Sequence, residues 1–280
     1  MRKNGRMLLC KSIAAQSAVR CALCAATFAA VCLTCGSSSS ENRREHNATA
    51  EVKPQLCRPI IVDTLPHDTT SFTQGLCFHS GELYESTGLY GKSSLQRMDS
   101  VATLLAKRRV ADNLFAEGCC VYSDRLYQLT WREGLCLVWS LPQLDLVSTM
   151  NYGGEGWGIT SDGNHFIMSN GSDTLYLRDN RFNIVKKIAV TNGTTPLVRL
   201  NELEYCNGHV FANVWYSDYI FEIDLLKGAV VRTIDCSELA AYEGCASDEM
   251  VLNGIAYDAR RDQFYVTGKS WKHLYVLKLP

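Results

Sequence analysis

Glu117 and Lys269 are the residues of this chain best suited to move a proton and to hold a developing charge, and both lie in strand-like, largely apolar sequence. A carboxylate set beside large aromatic faces loses part of its hydration, which lifts its pKa toward the range useful for proton transfer. A lysine in the same surroundings offers a positive donor to an oxyanion. At matching places in a recurring pattern stand two amides, Gln74 and Asn201, three indoles, Trp131, Trp157 and Trp215, and two phenyl rings, Phe72 and Phe115. Three indoles can wall a slot for a small, largely uncharged group, or seat a cation over a ring face. Plainer roles stand beside these. A lone buried Glu117 serves equally well as a structural acceptor, and Trp139 and Trp271 read as packing residues. The carboxylates Glu85, Glu202 and Glu204 occupy comparable positions and join the candidates at the same end of the pattern. His67, His79, His165, His209 and His273 are dispersed without metal-ligand spacing, and there is no P-loop, dinucleotide fingerprint or nucleophile elbow.

The elements that must position these residues come from a repeat. Five short motifs recur in order, Phe72-Thr-Gln-Gly75, Phe115-Ala-Glu-Gly118, Glu155-Gly-Trp-Gly158, Asn201-Glu-Leu-Glu204 and Asn253-Gly-Ile-Ala256. Each is followed by an apolar strand ending in a polar or aromatic residue, such as Glu85, Trp131, Trp215 or Lys269. A period of about 40 to 50 residues marks a stacked or radial array. Four of the copies read as four strands each, separated by Gly, Asp, Asn and Ser turns, and the fifth has only three, over residues 254–257, 263–268 and 272–279. The missing outer strand stands near the other end, at residues 58–63. The expectation is an all-β protein, a five-bladed β-propeller whose last blade is closed by the N-terminal strand. Gly75, Gly118, Gly158 and Gly254 read as turn and close-packing residues. Residues 237–242 make one short helical turn within the longest non-periodic insertion, residues 235–252, the kind of loop that shapes a binding rim.

Residues 1–53 are of different composition from the rest. Arg2, Lys3, Arg6, Lys11 and Arg20 precede an uncharged apolar stretch at residues 21–34, short for a membrane span and right for the core of an export signal. Cys35-Gly-Ser-Ser-Ser follows, similar to a bacterial lipoprotein processing site, although Cys32 stands where leucine is usual. The domain expectation is therefore a leader and polar linker over residues 1–53 and a catalytic propeller over residues 54–280, exported to the periplasm or cell envelope or secreted, with a lipid anchor at Cys35, simple cleavage or a retained anchor as alternatives. Beyond the leader, 46% hydrophobic residues over the whole chain suit a globular protein, and a formal charge of −1 gives no electrostatic footprint for nucleic acid. Of 13 cysteines, those after the leader are scattered without clustered metal spacing, and only Cys236 and Cys245 flank a single loop that a disulfide would close.

Longer strings make a resemblance specific. Leu83-Tyr-Glu-Ser-Thr-Gly-Leu-Tyr-Gly91, Leu129-Thr-Trp131, Leu200-Asn-Glu-Leu-Glu204, Ala212-Asn-Val-Trp215 and Thr267-Gly-Lys-Ser-Trp271, with the motifs above, resemble the plant and bacterial glutamine cyclotransferase family. These are zinc-independent glutaminyl-peptide cyclotransferases of the papaya-latex type, and the resemblance runs over roughly residues 55 to 280, in register. It implies a five-bladed propeller that converts an N-terminal glutamine of peptides or proteins to pyroglutamate with release of ammonia. It implies Glu117, Lys269, Asn201 and Gln74 as catalytic residues, and Phe72, Phe115, Trp131, Trp157 and Trp215 as substrate-binding residues. No cofactor is required; a structural calcium in the central channel stays open, though no Asp-rich loop demands it. The partners are peptides with N-terminal glutamine, and a monomer is expected. Ala116 replaces the family's glycine before Glu117, which places a methyl group near the pocket floor. The alternatives are a propeller lipoprotein that binds peptides without reacting, and a sugar-active enzyme pairing Glu117 with Glu85 or Glu204.

Overall fold

The computed structural model describes residues 54–244 and 247–280. Their architecture is all-β with a single short helix and a propeller-like arrangement of sheets. Two strands come first, β1 (Gln55–Cys57) and β2 (Ile60–Pro66). The first sheet follows as β3 (Thr73–His79), β4 (Glu82–Thr87), β5 (Ser94–Asp99) and β6 (Leu104–Arg109), and the second as β7 (Ala116–Tyr122), β8 (Arg125–Thr130), β9 (Leu135–Ser140) and β10 (Leu146–Asn151). The third is β11 (Ile159–Ser161), β12 (Phe166–Met168), β13 (Thr174–Arg178) and β14 (Ile184–Ala189). A small hairpin, β15 (Thr191–Asn192) and β16 (Thr195–Pro196), precedes β17 (Leu200–Cys206), β18 (His209–Val214), β19 (Tyr219–Asp224) and β20 (Ala229–Asp235). After helix α1 (Ser237–Glu243) come β21 (Leu252–Asp258), β22 (Gln263–Gly268) and β23 (His273–Lys278).

Within each sheet, burial falls from the inside outward, and the sequence follows it. Inner strands such as β3 and β7 are buried along most of their length, whereas the outer strands β6, β10 and β14 are largely exposed. Lys107, Arg108 and Arg109 lie on β6, where charge on an outermost strand discourages pairing with another chain. The fourth sheet differs. Its outer strand β20 carries the β15–β16 hairpin and, in parallel, β1, which makes a sheet of seven strands. Neither addition is visible in the periodicity. The last sheet is β2-β23-β22-β21, so residues Ile60–Pro66 supply its outer strand, antiparallel to β23.

The apolar core is divided among the interfaces between sheets. Leu95, Leu126 and Trp139 join the first sheet to the second, and Cys120, Phe166 and Met168 join the second to the third. Ile167, Leu175 and Leu203 join the third to the fourth, while Ile234, Val266 and Trp271 join the fourth to the last. Leu65, Leu76, Leu274 and Val276 join the last back to the first. The inner strands follow the same order, each beside the next, with β21 beside β3. Close approach there needs the repeated glycines. A Cβ on Gly118 would lie 2.7 Å from the Trp157 carbonyl oxygen, so even alanine would push two backbones apart. Ala116 packs in the buried cluster with Cys119, Leu126 and Trp139, so its methyl group fills core rather than pocket floor.

Candidate active site

Each inner strand delivers one residue to the same end of the array. Gln74 and Glu117 immediately precede the close-packing glycines of β3 and β7, Trp157 precedes Gly158 at the entry to β11, and Asn201 holds the matching place in β17. A second set follows the ends of the neighbouring strands. The Trp131 N–H donates to the Phe115 carbonyl at 2.9 Å, and the Lys269 N–H to the Val251 carbonyl at 2.9 Å, the same bond in different repeats. Serine hydroxyls tie one sheet to the next behind these residues. Ser86 donates to the Glu117 carbonyl at 2.5 Å, and Ser169 to the Asn201 carbonyl at 2.5 Å, while the Gln128 amide steadies Ser86 from 2.8 Å. Backbone positions are thereby fixed by neighbours on a different sheet, a rigid base for side-chain chemistry.

All nine residues singled out by the sequence, Phe72, Gln74, Phe115, Glu117, Trp131, Trp157, Asn201, Trp215 and Lys269, line one cavity of about 360 Å³. Leu89 and Glu249 complete its wall. Phe72 and Phe115 meet edge to face at 6.4 Å, Phe115 leans on Trp131 at 5.5 Å, and Trp157 meets Trp215 edge to face at 5.5 Å. The Lys269 Nζ lies 4.8 Å from the Phe72 ring centroid and 5.8 Å from that of Trp215, within cation–π range of both. The lining is mostly apolar with a few convergent polar groups, the usual character of a small-ligand site.

Glu117 and Lys269 are both sealed from bulk solvent. Burial pushes the Glu117 carboxyl well above the usual carboxylate range, with Lys269 and a hydrogen bond from Gln74 pulling the other way. Burial likewise pushes the Lys269 ammonium below its ordinary value, opposed by Glu117 and Glu249. Each partner is thus held closer to neutrality than in water and is a ready proton exchanger.

Two residues with no role in the sequence reading prove to hold the site. Glu155 Oε2 accepts from the Trp131 indole N–H at 2.9 Å and from the Trp157 indole N–H at 3.0 Å, while its Oε1 accepts from Arg132 at 3.0 Å. One carboxylate therefore locks two of the three indoles. Asn253, the fifth-repeat counterpart of Gln74, donates to the Thr73 carbonyl at 3.0 Å and to the Gln74 side-chain oxygen at 3.4 Å. Its place in the repeat was the available signal.

The other carboxylates do not reach the cavity. Glu85 accepts from Thr73 at 2.6 Å and from His67 at 3.1 Å. Glu202 reaches across to the inner strands of the first and last sheets, accepting from the Leu76 N–H at 3.3 Å and the Ile255 N–H at 2.8 Å, and Glu204 accepts from the Tyr257 N–H at 2.9 Å. The pairing of Glu117 with Glu85 or Glu204 that a sugar-active enzyme would need is therefore not assembled. Both Glu202 oxygens accept backbone N–H groups, and among the described residues no three His, Cys, Asp or Glu are grouped around a common point. Cys35 lies outside the described residues, and so does the bridge between Cys236 and Cys245, because Cys245 is not among them.

Comparison with known proteins agrees with this geometry. Residues 28–279 match the family model described as glutamine cyclotransferase. A glutaminyl-peptide cyclotransferase of Arabidopsis thaliana is 36% identical over 229 residues, covering 78% of this chain and 70% of that protein. The crystal structure of Myxococcus xanthus glutaminyl cyclase superposes with a TM-score of 0.76 at 36% identity, covering 81% of this chain and 98% of the other. With an apolar, indole-walled cavity built around a buried glutamate and lysine, the chain belongs to the glutamine cyclotransferase family.

Proposed function

We propose that the protein is a glutaminyl-peptide cyclotransferase, in which the α-amine of an N-terminal glutamine attacks its own γ-carboxamide carbon. The bond from the α-nitrogen to that carbon forms, the bond from carbon to the amide nitrogen breaks, and ammonia leaves behind a five-membered pyroglutamyl lactam. The observation that carries this reading is the burial of Glu117 and Lys269 in one largely apolar cavity. Nucleophile and electrophile belong to the same residue, so the first task is to hold a bent conformer. The phenyl and indole walls do that and exclude water. Glu117, held by burial well above the usual carboxylate range, takes the proton from the attacking nitrogen and returns it to the departing one. Lys269 and Asn201 face the carbonyl oxygen as charge builds on it, and Gln74 holds the substrate amide. Side chains supply both proton transfer and charge, so the scheme calls for no cofactor.

Further parts of the reading rest on other support. We infer a five-bladed ring, in which β17–β20 form the fourth blade and β1, β15 and β16 are appended to its edge. The ring order of the inner strands and the core shared by the last and first sheets favour it. The composition of residues 1–53 favours export, with lipidation at Cys35 as one route.

The test is ammonia release from a glutamine-initiated dipeptide compared with its asparagine analogue. Glutamine closes a five-membered ring, whereas asparagine would have to close a strained four-membered one. Release from the glutamine peptide alone is expected. Tight binding without release would instead favour a peptide-binding propeller.

A further inference from the structure

In the cyclotransferase reading the N-terminal glutamine reacts beside Glu117 and Lys269, and the rest of the peptide leaves across the rim of the cavity. Two pairs of matching construction stand on that rim. Tyr216 stacks on Trp215, with centroids 4.5 Å apart and planes at 24°, and its hydroxyl donates to Glu249 Oε1 at 3.0 Å. Tyr90 lies edge-on to Phe115 at 5.4 Å, and its hydroxyl donates to Glu133 Oε1 at 2.8 Å. Both rings are about half exposed, at 48% and 50%. Each is thus an open aromatic face seated on a cavity wall and carrying a carboxylate at its tip. Three cations lie near these pairs. Arg132 is bound to Glu155 and stacked on Trp131 at 3.6 Å, the Lys269 charge is shared between Glu117 and Glu249, and at Tyr216 the charges of Glu249 and Asp248 oppose that of Arg199.

We propose that these two tyrosine–glutamate pairs form a subsite for the residue following the N-terminal glutamine, selecting a cationic side chain and disfavouring an acidic one. The proposal rests on the cyclotransferase reading. An alkyl-ammonium or guanidinium group leaving the cavity meets ring faces that attract cations and carboxylates that pair with them. An acidic side chain meets like charge. Glu249 is the principal determinant, because it lines the cavity itself and keeps an exposed carboxylate there.

The experiment measures kcat/KM for peptides beginning Gln-Lys, Gln-Ala and Gln-Glu, with wild type, Glu249→Gln, Glu249→Lys and Glu133→Gln. A Gln-Lys to Gln-Glu ratio of roughly fivefold or more is expected for wild type at low ionic strength, carried by KM. The ratio should shrink near 1 M salt, where the screening length is about 3 Å. It should fall in Glu249→Gln and invert in Glu249→Lys. Because each ratio is taken within one variant, loss of folded protein cancels. A wild-type ratio near one, with Gln-Ala turning over, overturns the subsite while leaving the reaction intact. A preference unchanged in both Glu249→Gln and Glu133→Gln also overturns it. Absence of turnover on all three peptides overturns the cyclotransferase reading beneath it.

Discussion

Glu117 and Glu202 are both carboxylates on innermost strands, both sealed from solvent, and both pushed well above the usual carboxylate range by burial. They differ in where their oxygens go. Glu202 is held by the backbone N–H groups of Leu76 and Ile255, which join three sheets through one side chain. Glu117 faces a cavity, with an amide and an ammonium for company and room for a substrate proton. Burial alone therefore does not single out a catalytic carboxylate, since it shifts both. What separates them is whether the scaffold's own donors already satisfy the group.

The contrast breaks most sharply by mutation of each member. Glu117→Gln should lower kcat on Gln-peptides by roughly 10²-fold or more, with an unchanged melting temperature. Near-wild-type turnover in that variant would remove Glu117 from the proton path. Lys269→Ala should cost about 10- to 10²-fold in kcat, less than Glu117 because Asn201 remains to face the oxyanion. Glu202→Ala should do the reverse. It strands two buried N–H donors and should cost about 2–5 kcal/mol in denaturant unfolding, while the folded fraction keeps its kcat. A loss of kcat at full stability would erase the distinction.

A third buried pair sharpens the comparison through pH. Both ring nitrogens of His67 face acceptors, the Trp271 carbonyl at 2.8 Å and Glu85 at 3.1 Å, so both donate and the ring is cationic. Burial opposes that charge, but Glu85 and the carbonyl outweigh it and raise the pKa to about 8. A raised histidine stabilises the fold fully below its unfolded pKa of about 6.5 and loses that contribution as pH rises through about 8. Stability should thus fall by about 2 kcal/mol across that window, and His67→Gln should flatten the slope in urea titrations at pH 6 and 9. Activity runs the opposite way over part of the same range, rising from mild acid toward about pH 8 as the substrate amine loses its proton. The smallest effect expected is from chelation: treatment with a metal chelator should leave both kcat and the melting temperature largely unaltered, whereas a large loss would place a metal in the chemistry or the channel.

The repeat made the strand succession, the closing strand at Ile60–Pro66 and the shared end of the cavity-lining residues readable from sequence, because those features recur with a fixed period. What was not readable lies between repeats. Strand β1 pairs with β20 over only Gln55–Cys57, too short to carry a pattern. Glu155 belongs to the third motif, but its grip on indoles from two repeats depends on the spacing between sheets. Glu249 comes from the non-periodic insertion, whose anchor is equally hidden: Glu243 of α1 is buried against Tyr275, His273 and the Lys272 N–H at 2.6, 2.8 and 2.6 Å. Glu202 and Glu204 look in sequence like companions of Asn201, and only the alternation along β17 sends them elsewhere.

The pairing of β2 with β23 has a consequence for the nascent chain. Gln74 emerges from the ribosome 195 residues before Lys269, yet they share one cavity whose walls come from every sheet in turn. Joining ends so far apart in sequence carries its entropic cost before any catalytic geometry exists. The growing polypeptide therefore holds no fractional enzyme: the cavity lacks a wall until Lys269 and β23 have joined the strands made first.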